Sequence, residues 1–223
     1  YATEWKDYAL SPNFPIATRK FEDTADAKPV EWFFENLLPE GRLRDLIAFR
    51  DRIDPRDTWA LLIRHGQDTA GALSLIPEGF DVATEEILVP LAREALQEKI
   101  EASRARNLPL MASWEEIRMS LAGAQEKLGL RIDAHGAMFL PEGSAPSTHI
   151  VKPENASADF PHCPANEFFC MRLAHELKVP VPAVGLLHLP EPLYVIERFD
   201  RVPLDTGAEK VTGRAFGRLH QID

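Results

Sequence analysis

A run of short apolar segments between residues 128 and 198 constrains this chain more than any other feature. Leu128–Ile132 and Ala137–Leu140 flank Asp133-Ala134-His135-Gly136, a turn-forming sequence, and read as a β-hairpin. Thr148–Lys152 reads as a third strand that ends on a lysine. Asn166–Leu177 places Phe169, Leu173 and Leu177 at i, i+4 and i+8 and is stopped by Pro180 and Pro182, which predicts a helix with one apolar stripe. Ala183–Leu189 and Leu193–Arg198 read as two further strands. Strands joined this closely, with one helix between them, predict an α+β fold: an antiparallel sheet with a single packed helix.

The chain before this run has another texture. Leu10–Pro15 is too proline-rich for a helix interior and reads as extended loop. Pro29–Leu38 carries a helical apolar stripe that ends at Pro39 and Gly41. A second helical piece contains Leu43, Leu46, Ile47 and Phe49, and Trp59–Ile63 is a third short apolar run. Pro90 opens a charged helical segment over 91–106, with Leu91, Ala95, Leu96 and Ile100 on one face. Asn107-Leu108-Pro109 closes it. A boundary near there predicts a mixed subdomain over 1–108 and a second unit over 109–223, with no internal repeat.

Charge and cysteine usage exclude several classes of function. With 25 Lys+Arg against 35 Asp+Glu, the net charge is −10, whereas a nonspecific nucleic-acid or membrane-surface binder needs a basic footprint. Cys163 and Cys170 cannot build a disulfide framework, so a reducing cytoplasm is the expected compartment. Their spacing, with His162, matches no tetrahedral zinc pattern, and no metal site is predicted. No apolar run approaches the ~20 residues needed to span a bilayer.

The strand–helix order is that of the small lobe of a protein-kinase-like fold, and the charged residues fall where such a lobe needs them. Lys152 ends the third strand, where an ammonium could reach ATP phosphates. Glu167 lies in the first turn of the helix, where its carboxylate could orient that ammonium. Phosphoryl transfer depends on such pairs because its catalysis is mostly positioning and charge neutralisation. Glu197-Arg198-Phe199 follows the last strand as a hinge whose backbone could meet an adenine edge. Before the first strand, Ala122, Gly123 and Ala124 allow a backbone to approach phosphates and offer N–H donors. Each feature also has a plainer reading. Ser120 could cap a turn, Lys152 could be a solvated strand end, and Glu167 could be a favourable acidic helix start. Glu197, Arg198, Asp200 and Arg201 could form a surface ion-pair cluster.

Taken together, Ser120-Leu-Ala-Gly-Ala-Gln-Glu-Lys127, Ser147-Thr-His-Ile-Val-Lys152, Asn166-Glu167 and Glu197-Arg-Phe-Asp-Arg201 resemble the HipA-family serine/threonine kinases, the toxins of bacterial HipBA toxin–antitoxin modules. Asn36–Gly41 and Asp68–Ala72 resemble that family's N-terminal subdomain, and Arg218–Asp223 its next helix. The resemblance implies that Ser120 is an autophosphorylation site, and that Ala122, Gly123, Ala124, Gln125, Glu126, Lys127, Lys152, Glu197, Arg198 and Phe199 contact ATP. It implies ATP and Mg²⁺ as cofactors, a protein serine as acceptor, and an aminoacyl-tRNA synthetase as the family-type target. Its partner is a small HipB-like DNA-binding antitoxin, so that DNA is met indirectly; homodimerisation is left open. Phosphate on Ser120 would add about −1.5 to −2 charges and repel ATP from the loop.

A kinase also needs an Asp to position the acceptor hydroxyl and an Asn and Asp for Mg²⁺. These belong to a large lobe after the hinge, yet no H-R-D-like or D-F-G-like tripeptide follows Phe199. The expectation is therefore an N-terminal portion of such a kinase, without its catalytic lobe or Mg²⁺ ligands and inactive alone. A non-catalytic antitoxin-binding or regulatory fragment is the alternative, and an ATP-grasp-type ligase a weaker third.

Overall fold

The computed structural model describes residues 9–11, 14–15, 20–66, 69, 73–79, 85–106, 108, 110, 125–154, 160–204 and 216–218. Three short helices come first: α1 (Pro29–Glu35), α2 (Gly41–Asp51) and α3 (Thr58–His65). Local chemistry sets their starts. Pro29 occupies the first turn of α1, where its missing N–H costs nothing. The Asp57 side chain accepts a hydrogen bond from the Ala60 amide at 2.9 Å and caps α3. The Asp51 carboxylate at the end of α2 meets Nε2 of the buried His65 at the end of α3, 2.5 Å away. Phe34 is buried, whereas Trp32 of the same aromatic run is exposed.

Strand β1 (Glu86–Pro90) and helix α4 (Arg93–Ala105) follow. Then come β2 (Leu128–Ile132), β3 (Met138–Gly143), β4 (His149–Lys152), helix α5 (Cys163–Glu176), β5 (Val184–Leu189) and β6 (Glu191–Glu197). A six-stranded sheet runs in the order β1-β3-β2-β4-β6-β5, every pair antiparallel. The α+β architecture expected from the sequence is present. The β2–β3 turn closes as its residues predict: Asp133 Oδ1 accepts from the amides of His135 and Ala137, each at 2.9 Å, and Gly136 takes φ +82°.

No alternation in the sequence around 86–90 marks a strand. β1 is a five-residue edge whose Ile87 and Val89 are exposed, so it shows no inward apolar alternation. Its partner lies far along the chain, in the register Val89↔Leu140. The approach is close where the pairing ends, since a Cβ on Gly143 (φ +62°) would stand 2.3 Å from the Glu85 carbonyl oxygen. A short ribbon of β7 (Arg201–Pro203) and β8 (Phe216–Arg218) was also unforeseen. The expected helix over 218–223 is corrected at its first residue: Arg218 pairs in β8 opposite Arg201, and the rest lies outside the described residues.

One apolar core joins the early helices to the sheet. Phe34, Leu38, Ile47 and Leu61 belong to the same buried cluster as Leu96 and Ile100 of α4, Leu128 and Leu130 of β2, Val151 of β4 and Leu193 of β6. Helix α5 packs on β5 and β6. Its predicted stripe of Phe169, Leu173 and Leu177 is exposed, which corrects the expected orientation. The side turned inward instead carries Pro164, Glu167, Phe168, Met171 and Ala174, a second stripe at helical spacing that brings Glu167 to the sheet. No helix among the described residues is long and apolar enough to cross a membrane.

Candidate functional site

Lys152 and Glu167 meet. The Lys152 Nζ donates to Glu167 Oε2 at 2.6 Å, with side chains 22% and 28% exposed. Register and capping account for this geometry. Lys152 lies opposite Tyr194 in the β4–β6 ladder, and its ammonium stands 5.7 Å from the centroid of the Tyr194 ring. The Cys163 amide at the start of α5 donates to Glu154 Oε1 at 3.1 Å, which fixes the entry of the helix just after β4 and directs its first turns to the sheet. Burial, followed by the nearby Glu167 charge, pushes the Tyr194 hydroxyl up to about 12, so it stays protonated at neutral pH.

A second ammonium lies within electrostatic reach. Burial and then the charge of Lys152 push the Lys127 pKa down, opposed by Glu40 and Glu167. Two half-buried cations balanced by carboxylates suit a polyanion, which would relieve the repulsion between them. The residue beside Lys127 faces the helical region: Glu126 Oε2 accepts from the Leu110 amide at 3.3 Å. Burial raises the Glu126 pKa, with that hydrogen bond and the charges of Arg42 and Arg104 pulling the other way. Of the loop singled out in the sequence, Gln125, Glu126 and Lys127 are described; Ser120, Ala122, Gly123 and Ala124 lie outside the described residues.

The segment after β6 alternates outward and inward. Glu197 and Phe199 are exposed, whereas Arg198, Asp200 and Arg201 are buried. Arg198 grips the Asp200 carboxylate in a fork, Nε to Oδ1 at 2.9 Å and Nη2 to Oδ2 at 2.6 Å, and sends Nη1 to Ser147 Oγ at 2.8 Å. Arg201 Nη1 reaches Asp200 Oδ2 at 2.8 Å. The ion-pair reading holds for Arg198, Asp200 and Arg201 but not for Glu197, which stands apart, and the cluster is interior rather than at the surface. The Arg198 amide donates to the Thr148 carbonyl at 2.8 Å, so backbone and side chain both tie Arg198 to the start of β4.

Three of the segments singled out in the sequence thus form two contacts: Lys152 with Glu167, and Arg198 with Ser147. Sequence reasoning gave no role to Ser147 or Tyr194. Ser147 carried a signal, since it precedes an alternating strand and a small hydroxyl there can receive a buried donor; Tyr194 carried one only once its register opposite Lys152 was known. Among the described residues no group of three or more His, Cys, Asp or Glu could hold a metal ion.

Comparison with known proteins covers the same ground. Residues 1–76 match the HipA N-terminal domain, and residues 119–223 match the HipA-like C-terminal domain. The serine/threonine-protein kinase toxin HipA of Shewanella oneidensis is 33% identical over 205 residues, covering 90% of this chain and 44% of that protein. A Sinorhizobium fredii relative, Y4mE, is 35% identical over 233 residues, covering 100% of this chain and 52% of its own. A solved structure of HipA with HipB and operator DNA from Shewanella oneidensis MR-1 superposes with a TM-score of 0.70 at 30% identity, covering 96% of this chain and 46% of that one. The chain therefore spans about half the length of the curated relatives it matches. Motifs that meet in space and relatives that match along both regions lead to one conclusion: this chain belongs to the HipA family.

Proposed function

We propose that this chain is the ATP-binding portion of a HipA-like serine/threonine protein kinase toxin. The observation that carries the reading is the 2.6 Å Lys152–Glu167 pair, formed between the end of β4 and the first turns of α5. An ammonium held there by a carboxylate is oriented before any ligand arrives, which removes part of the ordering cost of binding a triphosphate. Lys127 supplies the second cation, and its lowered pKa marks a place where added negative charge is favourable. The donor set suits ATP: Lys152 and Lys127 would hold its phosphates and Glu167 would keep Lys152 in place. The Glu197 and Arg198 amides already donate to the Ala183 and Thr148 carbonyls, so the adenine edge would fall to the Phe199 amide and the carbonyls of the 197–199 backbone. The nucleotide supplies the phosphoryl group that a serine acceptor receives. Mg²⁺ is expected to be held by residues of the large lobe that the family resemblance implies.

The same reading extends to the family's activity: γ-phosphate transfer to a protein serine, with an aminoacyl-tRNA synthetase as the family-type target and Ser120 as the self-modified position. Its proposed partner is a HipB-like antitoxin through which DNA is met indirectly. Two observations support this part: the structural relative is a complex of HipA, HipB and operator DNA, and a net charge of −10 disfavours direct contact with phosphate backbones. The division into a 1–108 subdomain and a 109–223 lobe is proposed on the two family matches, to residues 1–76 and 119–223, with β1 crossing it to pair with β3.

Calorimetric titration of ATP tests the reading. Saturable binding to the wild-type chain, lost in Lys152→Met, is the expected result. Equal affinity in the two proteins would show that Lys152 does not bear on the nucleotide.

A further inference from the structure

The Arg198–Asp200–Arg201 cluster does more than fill the space behind the hinge, because its two arginines lead in different directions. Arg198 runs to Ser147 and, through its amide, to Thr148 at the start of β4. Arg201 runs to the helical region: its Nη2 donates to the Thr69 carbonyl at 3.4 Å, across 132 residues of sequence. Thr69 is itself fully buried, with its hydroxyl donating to the Leu73 carbonyl at 2.7 Å. Asp200 is the common acceptor between the two arms, and Arg201 Nη1 also reaches the Asp200 carbonyl at 2.9 Å. The cluster is expensive to desolvate, and an apolar replacement of similar volume would serve stability as well or better. What apolar side chains cannot supply is a fixed direction at each end.

We propose that Asp200 is a positioning residue: by clamping Arg198 to Arg201 it fixes the 197–199 backbone relative to Thr69, so that occupancy of the nucleotide site is transmitted to the N-terminal helical region. The inference rests on the nucleotide reading above. Asp200 touches no nucleotide in this scheme; it acts through the two guanidiniums. Any such coupling is reciprocal, so whatever holds the Thr69 segment also shifts nucleotide affinity by the same factor.

Hydrogen-exchange mass spectrometry on the whole chain, with and without saturating ATP and Mg²⁺, tests this. In the wild type, ATP should slow exchange in β4 and also in the peptide containing Thr69. Asp200→Asn should keep the β4 response, lose the Thr69 response, and weaken ATP binding about tenfold, within the usual range of coupling between sites. Arg201→Lys serves as the second variant if Asp200→Asn fails to fold. One ammonium cannot span both Asp200 and Thr69 as the guanidinium fork does, so the Thr69 response should again disappear. A wild-type response in β4 without one at Thr69, or a Thr69 response that survives in either variant, overturns the inference. Absence of any ATP response in β4 overturns the nucleotide reading and this inference with it.

Discussion

Two charged clusters border the same strand, and they are built differently. Lys152 and Glu167, at the C-terminal end of β4, keep 22% and 28% of their side chains exposed. Arg198, Asp200 and Arg201, gathered at its N-terminal end, keep 2%, 4% and 0%. The first is one hydrogen-bonded pair, partly open to solvent, with a second cation within electrostatic reach. The second distributes its donors among a carboxylate, a hydroxyl and two main-chain carbonyls. Partial exposure leaves a pair able to exchange one partner for a ligand, whereas complete burial commits a cluster to holding its surroundings in place. The contrast separates residues that would contact a nucleotide from residues that would shape its site.

The largest expected effect falls on the buried cluster. Asp200→Ala leaves two interior guanidiniums without their shared carboxylate, and should cost about 3–5 kcal/mol of stability in urea unfolding. A loss below about 1 kcal/mol would show that the cluster is not the structural element its burial implies. The half-buried pair should behave the opposite way. Glu167→Gln should change stability by no more than about 1 kcal/mol, yet weaken ATP binding about tenfold, equivalent to 1.4 kcal/mol. If Glu167→Gln unfolds the protein and leaves ATP affinity untouched in what remains folded, the two clusters have been assigned the wrong way round.

The smallest effect concerns His149, on the strand between the clusters. Burial lowers its pKa, opposed by Glu197, its partner in the ladder. A base with a lowered folded-state pKa leaves the unfolded chain binding more protons just below the ordinary histidine value of about 6.5. Stability should therefore rise with pH through that window and fall as pH drops below 6.5. Unfolding free energies measured at several pH values between 5 and 8 should show this slope, and His149→Gln should flatten it. An unchanged slope in the variant would place the titration elsewhere.

Much of this was legible in the sequence, for reasons particular residues make plain. Strands β2 to β6 and helix α5 were readable because apolar segments of the right length are separated by strong stops, such as the Asp133–Gly136 turn and Pro180. The Lys152–Glu167 pairing was readable because the lysine ends a strand and the glutamate falls near the start of the next helix, which begins at Cys163, three residues before the expected Asn166. Strand β1 was not, since an outward-facing five-residue edge has no periodic signature and its register depends on β3. The orientation of α5 also escaped, because the helix carries two stripes and the more apolar one, Phe169–Leu173–Leu177, is the exposed one. Only tertiary packing decides between such stripes. The Arg198–Asp200–Arg201 residues were visible as an ion-pair cluster but not as an interior one, since charge composition alone points to the surface.

Reactivity of individual lysines tests the central contrast most directly. The chain is labelled with an amine-specific reagent in the presence and absence of saturating ATP, and the modified sites are mapped by mass spectrometry. Lys20, whose side chain is largely in water beside Glu22, serves as the internal reference. ATP should slow labelling of Lys152 and Lys127 at least about tenfold, the factor set by the expected binding contribution, and leave Lys20 unchanged. Labelling of Lys152 at the same rate with and without ATP would contradict that contrast.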